Sequence, residues 1–204
     1  MPELLPILPL KGNVFFPGVI IPINAGREKS VKLIKTAYKN KQIIGIVAQK
    51  SADIEDPTTA DLYKVGTMAK VIKTLNMPDG TTMVILQGMD RFSLEELVQT
   101  EPYWVGKAIE YPDGAKELPE NYMALAEAVK DMYLRVLKMV PNIPADPSFA
   151  IQNIENPYFL LNYVAAHLDV NVSEKQKLLE TNDFSKRANK VLSILSKELE
   201  LQKL

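Results

Sequence analysis

The chain has 204 residues, 47% of them apolar, and can bury one sizeable core or two small ones; 24 basic against 25 acidic side chains leave a net charge of −1. No global field draws such a chain toward nucleic acid or an anionic membrane, and the absence of cysteine removes disulfides, thiolate catalysis and Cys-based metal sites. No apolar run approaches the roughly 20 residues of a membrane span, and the start MPELLPILPL lacks the basic region of a signal peptide, so a soluble, cytoplasmic protein is expected.

Residues 8 to 18 read LPLKGNVFFPG. Pro9 and Pro17 offer no amide to a neighbour and fit an edge strand, where Phe15 and Phe16 would point to opposite sides. Up to about Glu110 the apolar runs have strand length and are rich in Val and Ile: VIIPI (19–23), IIGIVAQ (43–49) and MVILQ (83–87). Between them, REKSVKLIKTAYKN (27–40) carries Val31, Ile34 and Tyr38 at helical spacing with its lysines turned away, so one helix covers the sheet. MPDG (77–80) is a hairpin turn, because Pro78 fixes φ, Asp79 supplies an Asx side chain and Gly80 is free to take positive φ.

The period changes after a second such triplet, Pro112-Asp113-Gly114. From Glu120 to Val140, the residues Tyr122, Leu125, Ala126, Val129, Met132, Tyr133, Val136, Leu137 and Val140 hold an i, i+3, i+4, i+7 pattern that Pro141 ends, which predicts a long amphipathic helix. Asp146-Pro147 and Asn156-Pro157 each place a capping side chain before a proline suited to a first turn, and Ser173 with Gln176 reads as a capping box. A last helix begins at Asp183, with Phe184, Val191, Leu195 and Leu199 on one side. Its pattern still runs at Leu204, which suggests a piece of a longer chain.

The residues that carry chemistry elsewhere are not arranged for it here. Val105-Gly106-Lys107-Ala108 lacks the hydroxyl residue and upstream glycine of a phosphate loop, and the one histidine, His167, has no partner at i+4. Ser185-Lys186 and Ser196-Lys197 fall on a polar helix surface where nothing desolvates the lysine, and Glu95-Glu96 point to opposite faces of a strand. One charge feature remains: 27–50 holds seven bases against the single acid Glu28 and is followed by Asp53, Glu55, Asp56 and Asp61. It reads either as an anion-binding surface or as a solvated helix face beside an acidic loop, and the scarcity of interleaved aromatics favours the second.

Taken in order, LPLKGNVFFPG, AGREKS (25–30), DLYKVGTMAKV (61–71), QGMDRFSL (87–94), PYWVGKAIE (102–110) and NYVAAHLDVNVSEKQKLLETND (162–183) resemble the N-terminal domain of the ATP-dependent Lon proteases. Asn162 stands where the family usually has Asp, and Ala188 follows Arg187 where Leu is usual; neither affects the fold reading. The resemblance implies an α+β chain: a PUA-like β-rich pseudo-barrel with one inserted helix over 1–114, then an α-helical bundle ending in a long helix over 115–204. It implies a non-catalytic substrate-recognition and assembly domain of a Ser-Lys protease, with unfolded or misfolded proteins and the downstream ATPase and protease modules as partners. A hexamer is implied for the whole protein, and no membrane or nucleic-acid partner. This chain itself would hold no cofactor and no metal, ATP and magnesium belonging to the ATPase module. The alternative is a stand-alone PUA-like nucleic-acid-binding protein using 27–50.

In a domain that meets unfolded chains, apolar side chains left open near a strand edge are the candidates for peptide contact. On that ground Phe15 or Phe16, Met89 in what reads as a QGMD turn, with its adaptable thioether, and Trp104 beside Tyr103 are the expected contact residues, while core is the default for both phenylalanines.

Overall fold

A computed structural model describes residues 3–111, 118–140 and 147–204. The triplet at 112–114, Pro141 and Asp146 lie outside them. Among the described residues the Val- and Ile-rich half forms strands β1 (Glu3–Leu10), β2 (Ile20–Ala25), β3 (Ile43–Ala48), β4 (Val65–Asn76), β5 (Thr82–Gln99) and β6 (Val105–Glu110). They pair in the order β2-β5-β4-β3-β1-β6, and β5 pairs again with β6. That second pairing closes β1, β3, β4, β5 and β6 into a ring and leaves β2 attached to β5 alone.

The length of β5 makes this possible. Its first half, Thr82–Gln87, is flanked by β2 and β4, and its second half, Phe92–Gln99, by β6. Straight, 18 residues would reach about 60 Å, too far to curl around one core. Register shifts at Thr67/Ala69 and Val71/Lys73 against β4, and at Leu94/Glu96 and Leu97/Gln99 against β6, bend it. The hairpin at 77–80 feeds β5 from β4: Gly80 takes φ +89° and donates its amide to the Met77 carbonyl oxygen at 3.1 Å.

The first strand is not an edge. β1 runs parallel to β3 (Pro9 opposite Val47) and antiparallel to β6 (Pro6 opposite Val105). Pro9 is tolerated because pairing with β6 has ended by then: the Ile7 amide reaches the Trp104 carbonyl oxygen at 2.9 Å, and two residues on there is no strand left to receive a hydrogen bond. In the segment between β1 and β2, Gly12 and Gly18 take φ of +72° and +79°; both phenylalanines are buried, with 3% and 0% exposed, and Phe15 joins the cluster under α1. Thr67 Oγ1 donates to the Phe15 carbonyl oxygen at 2.7 Å.

Helix α1 (Glu28–Asn40) packs Leu33, Ile34 and Ala37 against Leu8, Leu10, Phe15, Ile44 and Leu86. Full burial of Leu33 and Ile34 stabilises by about 1.5–3 kcal/mol each. The buried stripe centres on these residues rather than on Tyr38, which is exposed. The helix ends in a Schellman motif, with Lys41 at φ 54° and the Gln42 amide bonded to the Ala37 carbonyl oxygen at 2.9 Å. A second apolar cluster, around Ile7, Val47, Phe92, Leu94 and Trp104, fills the ring.

Contacts divide the chain into two units, one of residues 1–112 with 171–179, the other of 113–170 with 180–204. Helix α5 (Val172–Glu180) thus groups mainly with the strands. Its cap is Asn171, whose Oδ1 accepts from the Glu174 amide at 2.9 Å, not Ser173; Gln176, expected in a capping box, is buried and donates to the Val65 carbonyl oxygen at 2.8 Å. Arg91 Nη1 donates to the Leu179 carbonyl oxygen at 2.8 Å.

The second unit contains α2 (Tyr122–Met139), α3 (Ser148–Gln152), α4 (Pro157–Ala166) and α6 (Phe184–Gln202), with α2, α4 and α6 packed together. Asn156 caps α4 by accepting from the amides of Tyr158 and Phe159 at 3.0 and 3.1 Å, and Asp183 caps α6 by accepting from Lys186 at 2.9 Å. Both caps stand where the sequence places them. Val129, Tyr133 and Val136 of α2 share the interior with Leu161 and Val164 of α4 and with Val191 and Leu195 of α6. No described helix is long and apolar enough to cross a membrane.

Candidate substrate-contact surface

Cross-strand partners in a sheet share a face, so the register of β2, β5 and β4 assigns each side chain to the interior or to the outside. Val84 and Leu86 of β5 are buried, and their partners Ile23 and Ile21 on β2 face inward with them. The alternate residues of β5, Met83 and Ile85, face outward, opposite Asn24 and Pro22 of β2; Gln87 lies opposite Ile20. On the other flank Leu75 of β4 lies opposite Met83, and Lys73 opposite Ile85. The outer face of these strands therefore carries an apolar stripe, with Leu75 (42% exposed) at its Met83 end and Ile20 (56%) and Met89 (41%) at its Gln87 end, and with Ile72 also exposed at the register shift between Val71 and Lys73.

Of the four sequence-derived candidates, only Met89 has substantial free surface. Its segment is not a turn: QGMD continues β5, and Met89 sits with Asp90 where the pairing slips between Ala69↔Gly88 and Thr67↔Arg91. Phe15 and Phe16 are core residues, as above. Trp104 is fully buried in the ring, with the Arg27 guanidinium carbon 5.1 Å and Lys29 Nζ 5.0 Å from its ring centroid. These three offer no surface to a peptide, and the expectation of an open phenylalanine is corrected accordingly. Ile20, Ile72 and Leu75 were not singled out in the sequence; MVILQ reads as a buried strand because apolar residues occupy both of its faces, and that two-sidedness is the signal that marks an apolar outer surface.

The basic stretch meets the acidic loop through Lys29, and Lys11, outside the stretch, also reaches that loop. Lys11 pairs with Glu55, while Lys29 Nζ lies 2.7 Å from Asp56 and 2.8 Å from Glu101. Arg27 spends its donors on the carbonyl oxygen of Pro9 and on Gln49 Oε1, both at 2.5 Å. Residues 105–108 form most of β6 rather than a phosphate loop. His167 ends α4, its Nδ1 2.7 Å from the Tyr163 carbonyl oxygen. Among the described residues no group of three or more His, Asp or Glu side chains is placed to hold a metal ion.

Residues 4–197 match the family model of the ATP-dependent protease La (LON) substrate-binding domain. The Lon protease of Flavobacterium johnsoniae is 44% identical over 208 aligned residues, covering 100% of this chain and 25% of that protein. The Lon protease of Parabacteroides distasonis is 40% identical over 203 residues, with 99% and 25% covered. This chain thus spans about a quarter of the length of these curated relatives. Among solved structures, the N-terminal domain of Mycobacterium avium complex Lon protease superposes with a TM-score of 0.73 at 18% identity, over 95% of this chain and 98% of that one. The Lon N-terminal domain protein from Xanthomonas campestris gives 0.64 at 19%, over 94% and 98%. The closed ring of strands with its inserted helix and following helices is the fold of those domains, and the chain belongs to the Lon substrate-binding domain family.

Proposed function

We propose that this chain is the non-catalytic substrate-recognition and assembly domain of a cytoplasmic ATP-dependent Lon protease, and that it holds unfolded or degron-bearing proteins on the outer face of β2, β5 and β4. The observation that supports the site is the apolar stripe along this face, with exposed Leu75 beside Met83 at one end, Ile85 opposite Pro22 in the middle, and exposed Ile20 and Met89 at the other end. Apolar side chains grouped on a strand face, beside the unpaired edge of β2, suit an extended apolar segment. Nucleotide hydrolysis and Ser-Lys proteolysis belong to the remainder of the protein, so the chain alone cleaves nothing. The nucleic-acid reading loses support because two of the seven cations in 27–50, Arg27 and Lys29, are engaged by neighbouring carbonyl oxygens and acids.

A disordered partner loses chain entropy on binding and one shallow patch offsets little of it, so a dissociation constant on the order of 10–1,000 μM is expected for the isolated domain. Six copies in a ring raise this by avidity without new contacts. The test is an NMR titration of the labelled chain with an unfolded apolar peptide, both ends blocked, against a polar peptide of equal charge. Shifts at Ile20, Leu75 and Met89 with the apolar peptide alone support the reading; equal shifts with both peptides, or none, refute it.

A further inference from the structure

We infer that the cavity at the start of α1 is a carboxylate-recognition site that takes the C-terminal residue of an unfolded polypeptide, one with an apolar side chain and a free α-carboxylate. This rests on the substrate-recognition reading and adds a second, chemically distinct point of contact.

The cavity, of about 330 Å³, falls within the roughly 300–1,000 Å³ typical of ligand pockets. It lies where the barrel is unsewn: β1 and β2 both contribute to its wall yet do not pair with each other. Leu8, Leu10, Ile23 and Ala25 make that wall apolar, and Arg27 and Ser30 make the other end polar. Ser30 is 2% exposed and its Oγ has no hydrogen-bond partner, an unfavourable burial that a ligand acceptor would relieve.

Two further features set the sign of that acceptor. The first-turn amides of α1 have no partner within the helix, and Arg27 at the N-cap has no oxygen to offer them. Together with the dipole of a 13-residue helix they favour an anion. The half-buried Arg27 guanidinium is held by neutral oxygens only: the carbonyl oxygens of Pro9 at 2.5 Å and Glu55 at 3.4 Å, and Gln49 Oε1 at 2.5 Å. Burial pulls its pKa down, and the Glu55 and Asp56 carboxylates only partly offset this. The Glu55 carboxylate is instead bound by Lys11 at the exposed rim. Two bases against one acid leave room for a single negative charge, which matches a carboxylate better than a doubly charged phosphate.

The apolar wall selects the carrier. A bare anion leaves the exposed part of the apolar lining, chiefly half-buried Ile23, uncovered, and so does the short methylene stem of an acidic side chain. A C-terminal residue carries its carboxylate and its apolar side chain on one Cα, and the residues before it can follow the open edge of β2.

The experiment titrates the labelled 204-residue chain with two peptides identical in sequence and ending in Ala-Leu, one with a free carboxylate and one amidated, alongside acetate and inorganic phosphate. The acid is expected to shift the amides of Glu28, Lys29 and Ser30 and to bind about tenfold tighter than the amide, the preference shrinking several-fold in Ser30→Ala. Equal affinity of the two peptides, unmoved amides at 28–30, or phosphate displacing the acid at lower concentration than acetate does would overturn the inference. An end-blocked apolar peptide that shifts Leu75 and Met89 while the free carboxylate adds nothing overturns this site alone; silence at both surfaces with every peptide overturns the recognition reading as well.

Discussion

Gln176 of α5 donates its side-chain amide to the main-chain oxygen of Val65 at 2.8 Å, joining residues 111 apart in sequence inside one buried layer. Val65 opens β4, so the bond ties a late helix to the start of a central strand. Gln176→Ala leaves that carbonyl oxygen buried and unmatched, which costs about 1–3 kcal/mol. Urea unfolding followed by fluorescence of Trp104, the only tryptophan, reads this directly, because that side chain is fully buried among the strands. An unchanged midpoint would mean the bond contributes nothing.

Gly88 is the glycine on which the Phe16-Pro17-Gly18 turn rests. A Cβ there would press on the Phe16 carbonyl oxygen and lie 3.0 Å from the Gly18 nitrogen, both backbone atoms that cannot rotate away. Gly88→Ala is therefore expected to destabilise the β unit by about 1–3 kcal/mol, while Gly80→Ala meets nothing in space and strains only its positive φ. Thermal unfolding of the two variants should rank Gly88→Ala lower.

Arg187 and Asn162 are both buried in the helical unit, with Arg187 Nη1 donating to Asn162 Oδ1 at 2.6 Å. Asn162→Asp places a full negative charge on that acceptor and turns the contact into a charge-assisted pair. A stabilisation of roughly 1 kcal/mol is expected, measured as a higher denaturation midpoint near neutral pH and fading as the new carboxylate is protonated. A lower midpoint would show that desolvating the carboxylate outweighs the pairing.

Burial, with Asp169 adding repulsion, raises the pKa of Glu198 above the usual carboxylate range, and burial likewise pushes the Tyr133 hydroxyl up. For Glu198 the sign follows: its contribution is fully present below the unfolded pKa and is lost as pH rises through the folded one. Glu198→Gln should thus raise the melting temperature slightly at pH 7, by about 1–3 °C, and make no difference near pH 4. A difference that persists at pH 4 would assign the effect to packing instead.

Features set by a few adjacent residues were legible in the sequence. Pro78-Asp79-Gly80 turns where it should, and Asn156 and Asp183 cap because each precedes its helix directly. Features set by distant partners were not. That both Phe15 and Phe16 are buried depends on residues far along the chain, among them Thr67, which bonds the Phe15 carbonyl oxygen, and Gly88, on which the Phe16 carbonyl oxygen rests. The edge reading holds at Pro9 but not for β1 as a whole, because β6, which flanks Glu3–Pro6, begins only at Val105, about 100 residues later. Gln176 looked like a capping residue, and nothing local marks it as a partner of Val65. Of the candidate surface, Met89 was legible as an adaptable apolar side chain beside polar neighbours, while Ile20 and Leu75 required the register of three strands.

The central claim, that the outer face of β2, β5 and β4 holds unfolded polypeptide, is tested most directly by fluorescence anisotropy of a labelled, end-blocked apolar peptide with the wild-type chain and with Leu75→Ser/Met89→Ser. Both side chains are about two-fifths exposed, so the double variant is expected to fold with its melting temperature nearly unchanged. Loss of their burial against the peptide should weaken binding by about five- to thirtyfold, corresponding to roughly 1–2 kcal/mol. An unchanged dissociation constant in a folded double variant would contradict the account.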